Sequence, residues 1–337
     1  NTSQDRTYYF ETFPSNKLEL GLWLESERML HPVIDQVGVD TQNEVVKEEK
    51  RQRYDAPYGK LLKVLNENLF KVHPYKDQNI GKMEHLDAAT LEEFMAYHKA
   101  YYGPNNAVLI VAGDIDTEKT VELVKKYFDD IPRGNEVVRN FPKEEPITEN
   151  IRAKAYDKNI QIPMLLSSFR TPGFASRDSY VLDMISTYLS SGKSSVLYKK
   201  LVDDQKQALQ TQVINLGQVD YNIFAIIALP LGDISLDILL TEIEEEIEKV
   251  QNELISERNH QKLLNKFESQ FVNSNSSIAG IANSLARYYL LYGDVNLINK
   301  EIDIYRSITR EEIRSVAQKY LSSNQRVDIE YLPETGE

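Results

Sequence analysis

The 337-residue chain contains no cysteine. That excludes disulfides, thiolate nucleophiles and thiolate metal ligands, and it leaves the compartment open, because exported proteins can also lack cysteine. Histidine is scarce, with only His31, His73, His85, His98 and His260. Long apolar runs are missing too. The longest, Ile223 to Leu231, has about nine residues, whereas a bilayer-crossing helix needs roughly 20. No transmembrane segment is therefore expected, and no stretch has the form of a signal peptide. Positive charge is in deficit, with 39 basic against 52 acidic residues and a net charge of -13. Such a balance argues against a nucleic-acid or anionic-membrane surface.

What is present is the composition of a folded protein, 41% hydrophobic and 27% charged, at a length that predicts two domains. Position 1 is Asn rather than Met, and an alternating Tyr8, Phe10, Thr12 pattern begins almost at once. The expectation is that a preceding segment is absent and that the chain starts against a strand, Thr7 to Phe13. Apolar spacing then predicts a helix from Ser15 through Met29, a charged helix capped by Asp40 and running to Tyr54, and a helix after Gly59 that buries Leu62, Leu65 and Leu69. Thr90 with Glu93 makes a capping box for a helix to Tyr102. Asn106 to Val111 reads as an interior strand, and Thr117 to Phe128 as an amphipathic helix.

Between Ile131 and Glu149 the pattern gives way to Pro132, Gly134, Pro142 and Pro146 among charges, the composition of a linker. Strands follow near 151–156, 160–169, 210–216, 221–229 and 326–331, with helices at 177–188, from Ser195, and from Asp233 to about Tyr320. The resulting division is a domain over 1–134, a linker over 135–149, a second domain over 150–332 and a tail over 333–337.

An internal repeat supports that division. A shift of 219 positions places Thr90 on Thr309, Glu93 on Glu312, Tyr101 on Tyr320, Asn105 on Asn324, Val108 on Val327 and Ile110 on Ile329. Each copy is a capped helix, a turn and a buried strand in one register. The expected fold class is α+β, with two homologous layered α/β domains, each a mostly antiparallel sheet covered by helices.

The residue with chemical promise is Glu49, in Asp40-Thr-Gln-Asn-Glu-Val-Val-Lys-Glu-Glu-Lys-Arg-Gln-Arg-Tyr54. Val45 and Val46 mark the expected inner face of this helix, and Glu49 projects from the same side. By itself the pattern also suits a surface helix with a Glu49–Arg53 ion pair. The wider sequence resembles the pitrilysin/insulinase family of zinc metallopeptidases. The resemblance is carried by Ser3-Gln-Asp-Arg-Thr-Tyr-Tyr-Phe-Glu11, Glu19-Leu-Gly-Leu-Trp-Leu-Glu-Ser-Glu-Arg-Met29, the Glu49 helix, His73-Pro-Tyr75 and Tyr101-Tyr-Gly-Pro-Asn-Asn-Ala-Val-Leu-Ile-Val-Ala-Gly-Asp114. It implies that Glu49 is a zinc ligand. The family's other ligands and its general base form a His-x-x-Glu-His motif, and none of the five histidines here fits it. All five read as surface or loop residues. The chain as given is therefore expected to lack the two His ligands and the catalytic Glu, to hold no stable zinc alone and to be inactive alone.

The same resemblance implies peptide substrates, with Asn1 and Thr2 as the stub of a peptide-holding edge strand. The family's substrate-binding Arg and Tyr, seven residues apart, fall on Val202 and Leu209, which supply neither charge nor hydroxyl; Lys199 or Lys200 would replace the Arg only in a shifted register. That implies a homologous partner subunit that provides the pair. By analogy with bacterial relatives the compartment is the periplasm or cell envelope. The competing expectation is a non-catalytic scaffold or peptide-binding subunit of the same family. Two other matches carry no function. Gly192-Lys193-Ser194 lacks the preceding glycine of a phosphate loop, and Leu332-Pro-Glu-Thr-Gly336 has a sortase-signal form without the segment such a signal requires.

Overall fold

The computed structural model describes residues 1–334 and divides into two compact units. The first comprises Asn1–Lys50, Asn79–Asn140 and Val272–Asn299; the second comprises Arg51–Gln78, Phe141–Phe271 and Lys300–Glu337. Each draws on interleaved segments of the chain. The tail residues Thr335 to Glu337, and with them part of the sortase-like match, lie outside the described residues.

The helices are α1 (Leu18–Leu30), α2 (Gln36–Asp55), α3 (Leu61–Leu69), α4 (Met83–Ala88), α5 (Leu91–Tyr101), α6 (Thr117–Phe128), α7 (Arg177–Ser190), α8 (Leu236–Asn252), α9 (Glu257–Ser274), α10 (Ile278–Arg287), α11 (Leu297–Arg306) and α12 (Arg310–Tyr320). The strands are β1 (Ile151–Asp157), β2 (Met164–Pro172), β3 (Ala208–Leu216), β4 (Tyr221–Pro230) and β5 (Arg326–Pro333).

All five strands belong to the second unit and form one sheet in the order β1-β5-β2-β4-β3. The β1–β5 pair is parallel and the others are antiparallel. Side chains alternate between faces, and both faces are covered. On one, Leu166, Ile223, Ala225, Val327 and Ile329 pack with Leu65 and Leu69 of α3 and with Phe70 and Tyr75; α7, α8 and α12 pack against the sheet as well. Burial on both sides explains why β2 and β4 read as nearly continuous apolar runs. β2 begins at Met164 rather than Ile160, because Pro163 cannot donate to a ladder.

In the first unit α1 packs on α6, joined by Lys126 and Tyr127, which donate to the Glu19 carboxylate at 2.6 and 2.8 Å. The repeat is visible in local structure. Thr90 accepts from Glu93 N–H at the start of α5, and Thr309 accepts from Glu312 N–H at the start of α12. Both helices have 11 residues, and each leads into a 3-10 turn, at Pro104–Asn106 and Ser323–Gln325. The copies then diverge. Val327 and Ile329 are fully buried in β5, while residues 107–112 form no strand and Leu109 is 42% exposed. The expected strands at Asn106–Val111 and Thr7–Phe13 are thus corrected. Among the described residues the first unit offers no neighbour for them beyond an isolated Thr2–Thr7 bridge, and a strand exists only where its backbone groups find partners. The expected sheet in each half is present in one.

Residues 135–149 run without helix or strand, yet Glu144 in this stretch is tied down. Its carboxylate accepts the N–H groups of Lys71, Val72 and His73 at 2.7, 2.8 and 2.7 Å and pairs with Arg170 of β2 at 3.1 Å. Arg170 also donates to the Leu69 carbonyl at 2.7 Å and to the Glu145 carbonyl. Both side chains are almost fully buried. Burial acts to raise the Glu144 pKa, but the three N–H donors and the guanidinium outweigh it and hold the carboxyl below the usual range. A depressed carboxyl contributes stability above its unfolded pKa of about 4.3 that is lost as pH falls through the folded value. Glu144→Gln leaves Arg170 buried without its counter-charge and is expected to cost about 3 kcal/mol at pH 7. Urea unfolding against pH checks this: the wild type loses stability as pH falls through the carboxylate range, and the variant loses less over the same interval, because the Glu144 contribution is gone while other depressed carboxyls remain.

Candidate functional site

Glu49 lies on α2, which begins four residues before the expected Asp40 cap. Asp35 accepts from Gly38 N–H at 2.7 Å, the geometry of an N-cap. The packed side of the helix also differs from expectation. Val45 is 54% exposed, whereas Lys47 and Lys50 are buried. Asn43 donates to the Leu86 carbonyl at 3.2 Å, Lys47 bridges Glu44 and Asp87 at 2.8 and 2.6 Å, and Lys50 donates to the Gly81 carbonyl. Positions 43, 47 and 50 recur at helical spacing, so polar side chains join the buried Val39 on the inner face, and Glu49 shares the exposed side with Val45. The aliphatic stems of the two lysines provide the burial that the valines were expected to provide.

The motif residues of the first unit converge on Arg28. Its guanidinium makes a two-point contact with Glu25 at 3.1 and 3.1 Å, approaches Glu11 at 3.6 Å and lies 4.3 Å from the centre of the Tyr9 ring. The Tyr9 and Tyr102 hydroxyls are hydrogen-bonded at 2.7 Å. His98 stacks on Tyr102 and contacts the Arg28 carbonyl at 3.3 Å. Three of the sequence stretches that carry the resemblance therefore meet in space.

The other histidines are committed elsewhere. His31 pairs with Glu27 at 2.9 Å, and His260 Nε2 contacts the Ile308 carbonyl at 2.8 Å. His85 is solvent-exposed, 3.9 Å from Glu84. His73 lies in a loop, one of the two expected settings, but it is buried, 2% exposed and ringed by Phe70, Tyr75, Phe141 and Tyr221. Its Nδ1 accepts from Tyr75 N–H, which places the proton on Nε2, 3.3 Å from Asp220.

Among the described residues no three His, Cys, Asp or Glu side chains gather closely enough to hold a metal ion. A peptidase zinc usually takes three protein ligands, so the residues present do not by themselves fit one. In the second unit Val202 sits half-buried in a π-helical turn, Tyr198–Asp204, where an ordinary helix was expected. Leu209 is 45% exposed at an irregularity of β3. Lys200 cannot stand in for a substrate-binding Arg. It is held by Glu242, Glu245 and Glu246 at 2.8, 2.8 and 3.1 Å. Burial works against its charge, but the three carboxylates outweigh this and raise its pKa. Asn1 and Thr2 are likewise occupied, in a small hairpin with Thr7 and Tyr8.

Comparison with known proteins gives this α+β architecture its class, and several of its relatives are named as zinc proteases. The chain is 27% identical over 332 residues to "Zinc protease PqqE" of Helicobacter pylori, covering 98% of this chain and 74% of that protein. The crystal structure of a protease from Helicobacter pylori superposes with a TM-score of 0.88 at 26% identity, over 95% of this chain and 78% of the other. An Arabidopsis thaliana protein named "Probable mitochondrial-processing peptidase subunit beta" is 20% identical, over 95% of this chain and 62% of its own length. Residues 88–267, more than half of the chain, match the family described as "Peptidase M16 inactive domain". The chain belongs to the M16 peptidase family, as the insulinase-type motifs imply. No described helix is long and apolar enough to cross a membrane.

Glu11 offers a direct test of the Arg28 cluster. Burial and the neighbouring Glu25 carboxylate push its pKa up, against the pull of Arg28. A carboxyl raised in the fold contributes stability that is present below its unfolded pKa of about 4.3 and lost as pH rises through the folded value. Glu11→Gln keeps a hydrogen bond to Glu25 without needing the proton. It is expected to stabilise the protein by about 0.5–1 kcal/mol at pH 7 and to be neutral near pH 3.5, as read by denaturant unfolding at both pH values.

Proposed function

We propose that this chain is a subunit or large portion of a zinc metalloendopeptidase that acts on unfolded peptides, in which Glu49 supplies one metal ligand. The two histidine ligands and the general-base Glu then come from polypeptide outside these 337 residues. The observation that carries this reading is the placement of Glu49. Its carboxylate stands on the exposed side of α2, while the lysines on either side of it are turned inward. The names of the relatives add zinc and protease chemistry to the reading.

The same reading holds that the chain is two homologous halves, 1–134 and 150–332, joined by 135–149, and that residues 107–112 pair with strands from elsewhere, as their counterpart β5 pairs on both sides. It holds that a homologous partner supplies an Arg/Tyr pair, since Val202 and Leu209 have no such groups; the relative named as a beta subunit is consistent with a paired assembly. A cell-envelope compartment belongs to the reading and rests on resemblance to bacterial proteins.

A second reading, a non-catalytic scaffold or peptide-binding subunit, is favoured by the matched profile, which describes an inactive domain. Metal analysis and peptide cleavage separate the outcomes. The chain alone is expected to hold well under one zinc and to show no chelator-sensitive cleavage of an unstructured peptide; one tightly held zinc per chain would sink this account. In the complete assembly, Glu49→Gln is expected to lower bound zinc and abolish cleavage. Unchanged zinc and peptide binding in that variant would select the scaffold.

A further inference from the structure

α7 ends at Ser190, and the chain turns back through Gly192, whose φ of 80° suits a residue without a side chain. The turn sets the Ser191 and Ser194 hydroxyls against α9, where Lys262 and Lys266 occupy positions one turn apart on the same face. Lys262 Nζ donates to Ser194 Oγ at 2.6 Å, and Lys266 Nζ donates to Ser191 Oγ. With Tyr188 and Asn259 these side chains line a cavity of about 30 Å³ in the second unit, room for a group of a few heavy atoms.

The charge at this cavity is uncompensated. In a chain of net charge -13, both ammonium groups are met by neutral hydroxyls and carbonyl oxygen, with no carboxylate at ion-pair distance among the described residues. Glu246, which acts on the cavity residue Tyr188, pairs with Lys200 and Lys249. Glu253 acts on Tyr188 at longer range. Two ammonium groups with spare donors, beside hydroxyls able to turn their protons inward, form a set that suits an anion with several oxygens.

We propose that the turn at Gly192 and α9 form a binding site for a small oxyanion, either free phosphate or the carboxylate of a peptide. Lys262 and Lys266 supply the charge, and Ser191 and Ser194 supply neutral donors. The site shares no residue with Glu49, so it stands or falls apart from the peptidase reading.

Isothermal titration with inorganic phosphate, at fixed ionic strength set by chloride, tests the proposal on the whole chain. Saturable binding is expected, weakened at least about tenfold in Lys266→Gln and further in the Lys262→Gln/Lys266→Gln pair, with circular dichroism unchanged. Lys266→Arg is expected to retain binding, which separates loss of charge from loss of fold. A peptide with a free terminal carboxylate competes with phosphate if peptides are the natural source, while its amidated form does not; failure of both to compete assigns the site to the free ion. Equal responses of wild type and the double variant, or no saturation above the chloride background, would overturn the proposal.

Discussion

One buried carboxylate holds together three stretches of chain distant in sequence. Glu144 gathers the N–H groups of Lys71, Val72 and His73 and the Arg170 guanidinium of β2. Consecutive N–H groups aimed at one oxygen make a concave anion site, and here the anion is the protein's own. Because Arg170 also takes the Leu69 carbonyl, the end of α3 is fixed to the sheet as well. The position of α3 decides which side chains cover that face of the sheet, so the packing of Leu65, Leu69 and Phe70 on Val327 and Ile329 follows from a polar anchor at its rim. His73, next in the chain, becomes buried for the same reason.

The two units manage their backbones differently. In the second, every described strand has a neighbour and the sheet carries a fully buried apolar core that includes Phe169, Phe224, Ile226, Val327 and Ile329. In the first, helices are joined largely by polar and aromatic contacts such as Lys126–Glu19 and Tyr9–Tyr102, and large apolar side chains including Phe10, Trp23, Val37 and Met95 stay exposed. The repeat makes the contrast internal to one molecule, since α5 and α12 match in cap, length and following turn, while only the second copy leads into a paired strand.

The strands of the sheet and the ends of α5, α6 and α12 were legible because they depend on local signals: capping Thr residues, Pro and Gly boundaries, and apolar period. Thr117–Phe128 falls where the pattern places it. The extended segment at 107–112 misled for a physical reason. An apolar run states that a segment is suited to a sheet, but not that a neighbour exists. The face of α2 misled because Lys47 and Lys50 bury their stems while their ammonium groups reach Asp87 and the Gly81 carbonyl, partners that no helical pattern reveals. The burial of His73 depends on Tyr221 and Asp220, far away in sequence and beyond the reach of any local rule. The Lys262/Lys266 pair was visible as residues, but the serines it faces lie 68 and 75 positions earlier.

The placement of β5 between β1 and β2 has a consequence for how the chain acquires its shape. The contact between Asn150 and Arg326, at the head of the parallel pair, closes a loop of 176 positions. Until that late segment emerges during synthesis, β1 has no partner and β2 is open along one side. Long-range parallel pairing is slow because chain entropy is lost before contacts are gained. The nascent protein must therefore carry open sheet edges while the intervening 176 positions are made, an interval of exposed strand edges in which chaperones matter most.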